Sequence, residues 1–416
     1  MRVALLSYHT SPLASLGSSA AGGMNVYVRR LAEGLAARGA EVDIYTRRDA
    51  PDTPPELEFT PGARCLTVRA GPARVLSKQC LAAHIPLFAR SVVSLSSRLG
   101  LQYDVIHSHY WLSALAAEAL KSGEQPLVHM FHTLNRIKQL YQPESAQSDP
   151  PARDYVEQRL LRSRHALVFS TEAEVDDVER VYGIRPANRA IIPPGVDRLR
   201  FRPGDRMPAR IRLGLEHDRV VLFVGRMDRA KGVEHLLRAT ATIASELRSL
   251  KSAVVVVGGD DGQRDSVAHR ELLRLERIVD DLRIRDLIDF RGVVPHEELP
   301  DYYAAADVCA VPSLYESFGM VAVEALACGR PVVAFRSRGL EQTVRDGVNG
   351  FLVPPSDVTA FGQSLLQVLS DPQTCARMER AAPQSVQDMS WETVADRTVA
   401  LYESLCGLGQ VAVGQR

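Results

Sequence analysis

The chain has 416 residues, is 45% hydrophobic and balances 50 Lys+Arg against 50 Asp+Glu. That length suits two large α/β domains with sizeable cores, and the charge balance supplies no global field toward nucleic acid or an anionic membrane surface. The six cysteines form no C-x-x-C pair and no zinc spacing, which argues against a structural zinc site.

The opening apolar run, Met1 to Tyr8, is too short for a signal-peptide core, and no apolar run approaches the ~20 residues of a bilayer span. Cysteines inside apolar runs read as small buried hydrophobes. A reducing cytoplasm is the expected home.

Short apolar runs predict strands over Val3–Ser7, Glu41–Thr46, Cys65–Val68, Val105–Ser108, Leu127–Phe131, Ala166–Ser170 and Ala190–Ile192. Amphipathic stretches predict helices over Met24–Ala37 and Trp111–Leu120. Gln142–Pro151 is polar and Pro-bearing and reads as a mobile loop. Pro193-Pro194-Gly195 breaks the pattern, and the segment to Pro208 reads as an interdomain linker.

A second series follows, with strands at Val220–Val224, Ala253–Val257, Ile288–Phe290, Val308–Val311 and Pro331–Phe335. Helices are predicted near Val233–Leu247, Asp265–Leu282, Glu297–Ala306, Met320–Ala327, Val358–Leu369 and Ala376–Gln384. Glu392–Leu405 either closes the second domain or crosses back to the first. Alternation of this kind implies parallel, doubly wound sheets, whose ligands bind beyond the carboxyl ends of the strands.

The most telling stretch is 316–324, Glu-Ser-Phe-Gly-Met-Val-Ala-Val-Glu. Its carboxylates accept bonds from hydroxyls, and its Gly can open a helix whose free N–H groups bind phosphate. Spacing leaves three readings of Glu316 and Glu324: an acid/base pair, two hydroxyl clamps, or helix-surface carboxylates. Arg226 and Lys231 follow a predicted buried strand, where two cations would stabilise a departing diphosphate. Gly22-Gly23 precedes a predicted helix, but G-x-G-x-x-G is absent, which argues against NAD or FAD. His107, His109 and His132 end strands; they are structural or raise a metal question that no H-E-x-x-H supports. Asp260-Asp261 is not D-x-D and reads as loop.

The ordered set of Gly22-Gly23, Pro193-Pro194-Gly195-Val196, Gly225-Arg226 with Lys231-Gly232, and Glu316–Glu324 resembles retaining glycosyltransferase family 4 over nearly the whole chain. The resemblance implies a GT-B fold: α/β, with two facing Rossmann-like doubly wound domains and a central cleft. The divisions are 1–195 (acceptor-binding), 196–390 (nucleotide-sugar-binding) and 391–416, a C-terminal helix that either crosses back to the first domain or closes the second. His9-Thr10-Ser11-Pro12, Gly22-Gly23-Met24-Asn25, Leu76-Ser77-Lys78 and His107-Ser108-His109-Tyr110-Trp111 are similar to the D-inositol-3-phosphate glycosyltransferases of mycothiol biosynthesis. Phe335–Gly339 departs from that branch's glycine pair.

Residue by residue, the resemblance implies an acceptor-phosphate grip of Lys78, Tyr110, Thr133 and Arg153, with His9 and Asn25 lining acceptor hydroxyls. It implies donor binding by Gly23, Arg226, Lys231, Val294, Glu316, Phe318, Gly319, Met320 and Glu324. The catalytic set is Arg226, Lys231, Glu316 and His132, whose backbone is expected to meet the donor sugar. The expected reaction moves N-acetylglucosamine or glucose from a UDP-sugar to a phosphorylated acceptor such as inositol phosphate, with retention. The UDP-sugar is a substrate, no cofactor or metal is expected, and a homodimer is left open. Domain closure around both substrates is expected. Alternatives are a sucrose-phosphate synthase-like transferase, a nucleotide-sugar epimerase, a phosphorylase and a non-catalytic sugar-nucleotide-binding protein.

Overall fold

The computed structural model describes residues 1–14, 22–141, 150–259 and 267–407. The chain divides into two compact units; unit 1 comprises Met1–Ala14, Ala21–Gly195 and Trp391–Arg416, and unit 2 is built on Val196–Ser390.

Unit 1 runs β1 (Arg2–Leu6), α1 (Gly23–Ala36), β2 (Glu41–Arg47), β3 (Glu56–Thr60), β4 (Ala63–Val68), α2 (Lys78–Arg98), β5 (Val105–His109) and α3 (Trp111–Leu120). It continues with β6 (Leu127–Met130), α4 (Asn135–Tyr141), α5 (Ala152–Leu161), β7 (Ala166–Phe169), α6 (Glu172–Tyr182) and β8 (Arg189–Ile191). The eight-stranded sheet has the order β3-β4-β2-β1-β5-β6-β7-β8, parallel except where β3 runs antiparallel to β4. The chain works outward from β1 in one direction and then resumes at β5 on its other side. The crevice at such a reversal is where open α/β sheets take ligands.

Unit 2 runs α7 (Arg206–Leu213), β9 (Arg219–Val224), α8 (Val233–Thr242), α9 (Ala244–Ser249), β10 (Ser252–Val257), α10 (Val267–Asp281), β11 (Ile288–Gly292) and α11 (Leu299–Ala305). Then come β12 (Val308–Val311), α12 (Met320–Ala327), β13 (Val332–Phe335), β14 (Gly350–Val353), α13 (Val358–Ser370) and α14 (Pro372–Ser385). Its parallel sheet has the order β11-β10-β9-β12-β13-β14, so the reversal lies between β9 and β12. Alternate residues of each strand serve opposite faces. Val220, Leu222, Val255 and Val257 enter one core, and Val221, Phe223, Val254 and Val256 the other. The last helix, α15 (Trp391–Leu405), belongs to unit 1, where it packs on α1.

Several expectations need correction. The stretch read as a linker up to Pro208 is structured: Phe201 lies in the unit 2 core, Val196 bridges Ser390, and α7 begins at Arg206. Strands β3 and β14 went unpredicted, because one is an exposed edge strand and the other is short and opens on Gly350. Helix α2 runs unbroken through Pro86, which takes an exposed position. It is 21 residues long and holds an 18-residue stretch of mean hydropathy 1.2, enough to span a bilayer by length and composition, yet Leu81, Ile85, Phe88 and Val92 are buried within the unit. Cys65, Cys309 and Cys328 are buried, as apolar context implied, whereas Cys80 is exposed. Gln142 to Asp149 and Asp260-Asp261 lie outside the described residues.

Candidate functional site

In unit 2 the residues singled out from the sequence gather at the sheet reversal. The loop after β9 carries Arg226, Lys231 and Gly232; the loop after the adjacent β12 carries Ser313, Glu316, Phe318 and Gly319. Lys231 Nζ donates to Glu316 Oε1 at 2.5 Å, and Ser313 Oγ donates to the same oxygen at 3.0 Å. Among the described residues Glu316 Oε2 has no partner, so an acceptor oxygen remains for a hydroxyl. Arg226 is half exposed and lies 3.5 Å from Asp228 Oδ2.

Gly319 caps the N-terminus of α12 at φ 86°, and the N–H groups of Met320 and Val321 open the helix with the partial positive charge that suits an anion. Phe318 is buried beneath this turn. Glu324, one turn into α12, accepts from Tyr303 Oη at 2.9 Å and pairs with His296 Nε2 at 2.8 Å. The two glutamates therefore keep separate partners. Val294 sits with His296 on the loop between β11 and α11 and packs on the unit 2 core with Met320.

Two glycines are sterically required here. A Cβ on Gly232 (φ 72°) would stand 1.9 Å from Pro312 O, so this residue lets the Lys231 loop touch the β12 loop. A Cβ on Gly339 would stand 2.2 Å from Glu316 O, so the segment after β13 presses directly on the backbone of the 316–319 turn.

In unit 1 a second constellation forms at its own reversal, between β1 and β5. Arg153 on α5 is fully buried. Its Nε donates to Glu157 Oε1 at 2.6 Å, Nη1 to Tyr110 Oη at 3.0 Å, and Nη2 to Thr133 O and Oγ1 at 2.8 and 3.1 Å. Glu157 also accepts from Asn135 N and Tyr182 Oη, both at 2.8 Å. Burial nonetheless holds its carboxyl above the usual range, with Arg153 opposing. Lys78 opens α2, with its Nζ 5.9 Å from the Tyr110 ring centre, and the Arg153 guanidinium lies over that ring at 4.9 Å. Two cations, a phenol and a threonine hydroxyl thus converge at a helix N-terminus, an environment that favours an anion.

The His9 ring packs tilted against Tyr110 with ring centres 4.6 Å apart, and burial, with Lys78 adding to it, lowers its pKa to about 3. Asn25 is buried and used within its own loop: Nδ2 donates to Thr10 Oγ1 at 2.8 Å and Ser11 O at 2.5 Å, and Oδ1 accepts from Gly22 N at 3.0 Å. Gly23 is the first residue of α1. His132 and Tyr110 hold positive φ, 59° and 68°. His132 Nε2 meets His109 Nδ1 at 3.1 Å, and burial brings the His132 pKa to about 3. Among the described residues no group of three or more His, Cys, Asp or Glu side chains is arranged to hold a metal.

Sequence reasoning missed His296, Tyr303, Ser313 and Gly339 in unit 2 and Glu157 in unit 1. Only Glu157 left a local signal, its i,i+4 spacing from Arg153.

Residues 208–385 match the model of the glycosyl transferases group 1, and residues 21–200 that of Glycosyltransferase Family 4. A D-inositol 3-phosphate glycosyltransferase of Corynebacterium urealyticum is 41% identical over 97% of this chain and 96% of its own. Sucrose-phosphate synthase from Thermosynechococcus elongatus superposes with TM-score 0.90 at 35% identity, covering 98% of this chain and 99% of that one. Anabaena HepE, solved with UDP and glucose, superposes at TM-score 0.72 with 20% identity, over 97% of this chain and all of HepE. With two doubly wound units and these matches along its length, the chain belongs to the family 4 glycosyltransferases and has the GT-B fold.

Proposed function

We propose that the protein transfers N-acetylglucosamine or glucose from a UDP-sugar to a hydroxyl of a phosphorylated small molecule, inositol phosphate first among candidates, with retention. The carrying observation is the unit 1 constellation: Lys78 at the start of α2, with Tyr110 and Thr133 both tied to buried Arg153. It suits a phosphate monoester on the acceptor. The name of the Corynebacterium relative supports inositol phosphate.

In unit 2, Lys231 and Arg226 together with the α12 N-terminus take the diphosphate, and Glu316 orients the donor sugar. Glu324, oriented by His296 and Tyr303, accepts from the ribose hydroxyls. The bond from the anomeric carbon to the β-phosphate oxygen breaks as the acceptor oxygen attacks from the same face. The departing phosphate takes the acceptor's proton, and its growing charge is met by Lys231 and Arg226. Glu157, the buried carboxylate beside the acceptor site, is engaged by Arg153, which disfavours it as a covalent nucleophile. No metal is needed where two cations neutralise the diphosphate. A cytoplasmic location fits soluble substrates of this kind.

The likeness to sucrose-phosphate synthase favours a second reading, with fructose 6-phosphate as acceptor. A matrix of UDP-glucose and UDP-N-acetylglucosamine against D-inositol 3-phosphate, fructose 6-phosphate and their unphosphorylated forms, read by UDP release, separates the two. Turnover with unphosphorylated acceptors equal to that with phosphorylated ones would overturn the phosphate-grip reading.

A further inference from the structure

His132 holds a left-handed backbone (φ 59°), a conformation that a non-glycine residue keeps only where its surroundings over-determine it. Two anchors do so. Thr133, its neighbour, is bound through both O and Oγ1 by Arg153. The His132 ring is bound by His109 at 3.1 Å. Behind His109 lies His107, with ring centres 4.3 Å apart, and behind His107 lies Tyr402 of α15, its Oη 2.7 Å from His107 Nδ1.

The chemistry of this row is constrained. Burial lowers all three imidazoles below their usual range, so the rings are neutral. Burial raises the Tyr402 phenol, which keeps its proton and shares a hydrogen bond with His107 Nδ1. A neutral pair of imidazoles shares one proton between His109 Nδ1 and His132 Nε2, and that bond sets the orientation of the His132 ring. Among the described residues His107 Nε2, His109 Nε2 and Tyr27 Oη are buried without a partner, so the row is held by few bonds, each of which matters. Trp391 of α15 packs edge-on to Tyr27, and Tyr27 packs edge-on to His132. Helix α15 therefore reaches His132 by two routes.

We propose that His109 is a positioning residue for His132, secured from α15 by Tyr402 through His107, so that the C-terminal helix sets the geometry of the transfer step. This rests on the reading of His132 as the residue that meets the donor sugar. The contacts of the row run from the His132 ring through His109 and His107 to Tyr402, so its loss is expected to lower kcat with little change in substrate KM.

The test uses the full-length protein with UDP-N-acetylglucosamine and D-inositol 3-phosphate, or the pair selected by the matrix above. His109→Leu is expected to lower kcat about ten- to hundredfold, with KM for both substrates within about twofold of the parent. His109→Asn, which keeps a hydrogen-bonding atom near the Nδ1 position, recovers most of the loss. In a His132→Ala background, His109→Leu adds no further loss. Tyr402→Phe keeps the ring and removes one hydroxyl; it is expected to lower kcat about three- to tenfold, and it carries the test if His109→Leu fails to fold. Normal kcat in folded His109→Leu or Tyr402→Phe, with His132→Ala impaired, overturns the strap alone. Equal losses in the parent and His132→Ala backgrounds also overturn it. Normal kcat in His132→Ala overturns the strap as well, because the ring's anchor then does not set the backbone that meets the sugar.

Discussion

Replacing Glu316 by Gln is expected to tighten UDP binding while slowing transfer. Without ligand, Glu316 occupies Lys231 at 2.5 Å, with the two side chains only 27% and 14% exposed, so the pair is partly shielded from solvent. Charges 4 Å apart attract by about 4 kcal/mol at an effective dielectric of 20, and desolvation offsets much of this. A net value of about 1.5 kcal/mol is reasonable for a charge-assisted bond of this kind. A diphosphate that recruits Lys231 must give up that amount and also approach a carboxylate. Removing the charge should therefore lower the Kd for UDP about tenfold. The hydroxyl clamp weakens at the same time, so kcat falls. Calorimetric titration of UDP into the parent, Glu316→Gln, Lys231→Ala and the double variant measures the coupling. Glu316→Gln should tighten UDP only where Lys231 is present. An unchanged or weaker UDP affinity in Glu316→Gln would refute the reasoning, as would an equal gain in the Lys231→Ala background.

Arg153→Ala strands Glu157 as a buried unpaired carboxylate and is expected to destabilise the protein by about 3–5 kcal/mol in denaturant titration. Adding Glu157→Gln should restore a good part of this, while both variants are expected to show a raised KM for the phosphorylated acceptor. Gly232→Ala drives a Cβ toward Pro312 O and should lower both thermal stability and UDP affinity; parent-like values for both would contradict the tight contact of the two loops. Burial raises the Glu174 pKa from 4.5 to about 7. Its folded-state pKa lies above the unfolded one, so its contribution to stability is largest below pH 4.5 and is lost as pH rises to 7. Glu174→Gln, which keeps the acceptor for Ser170 N, should raise Tm at pH 8 by up to the equivalent of roughly 3 kcal/mol and leave it unchanged at pH 4. A pH-independent difference would refute the assignment.

Local pattern carried much of what the sequence determined. Buried strands such as Val308–Val311 are uniform apolar runs, and the loops after them carry the Lys, Arg, Glu and Gly whose chemistry pointed to a sugar nucleotide. The parallel order follows from the strand–helix alternation itself. Helix α2 was obscured because Pro86 is a breaker by local rules, and its tolerance depends on taking an exposed position. Tertiary structure alone decided which charges meet. That Glu316 pairs with Lys231, 85 positions away, is visible only in the structure. His296 and Tyr303 gain meaning only against Glu324, and Gly339 only against the 316–319 turn. The contact of His107 with Tyr402 joins residues 295 apart. Periodicity and capping are interactions within a few residues and leave a local trace. Contacts such as these depend on how the sheets order their strands and where the last helix returns, and neither is encoded in the neighbouring sequence.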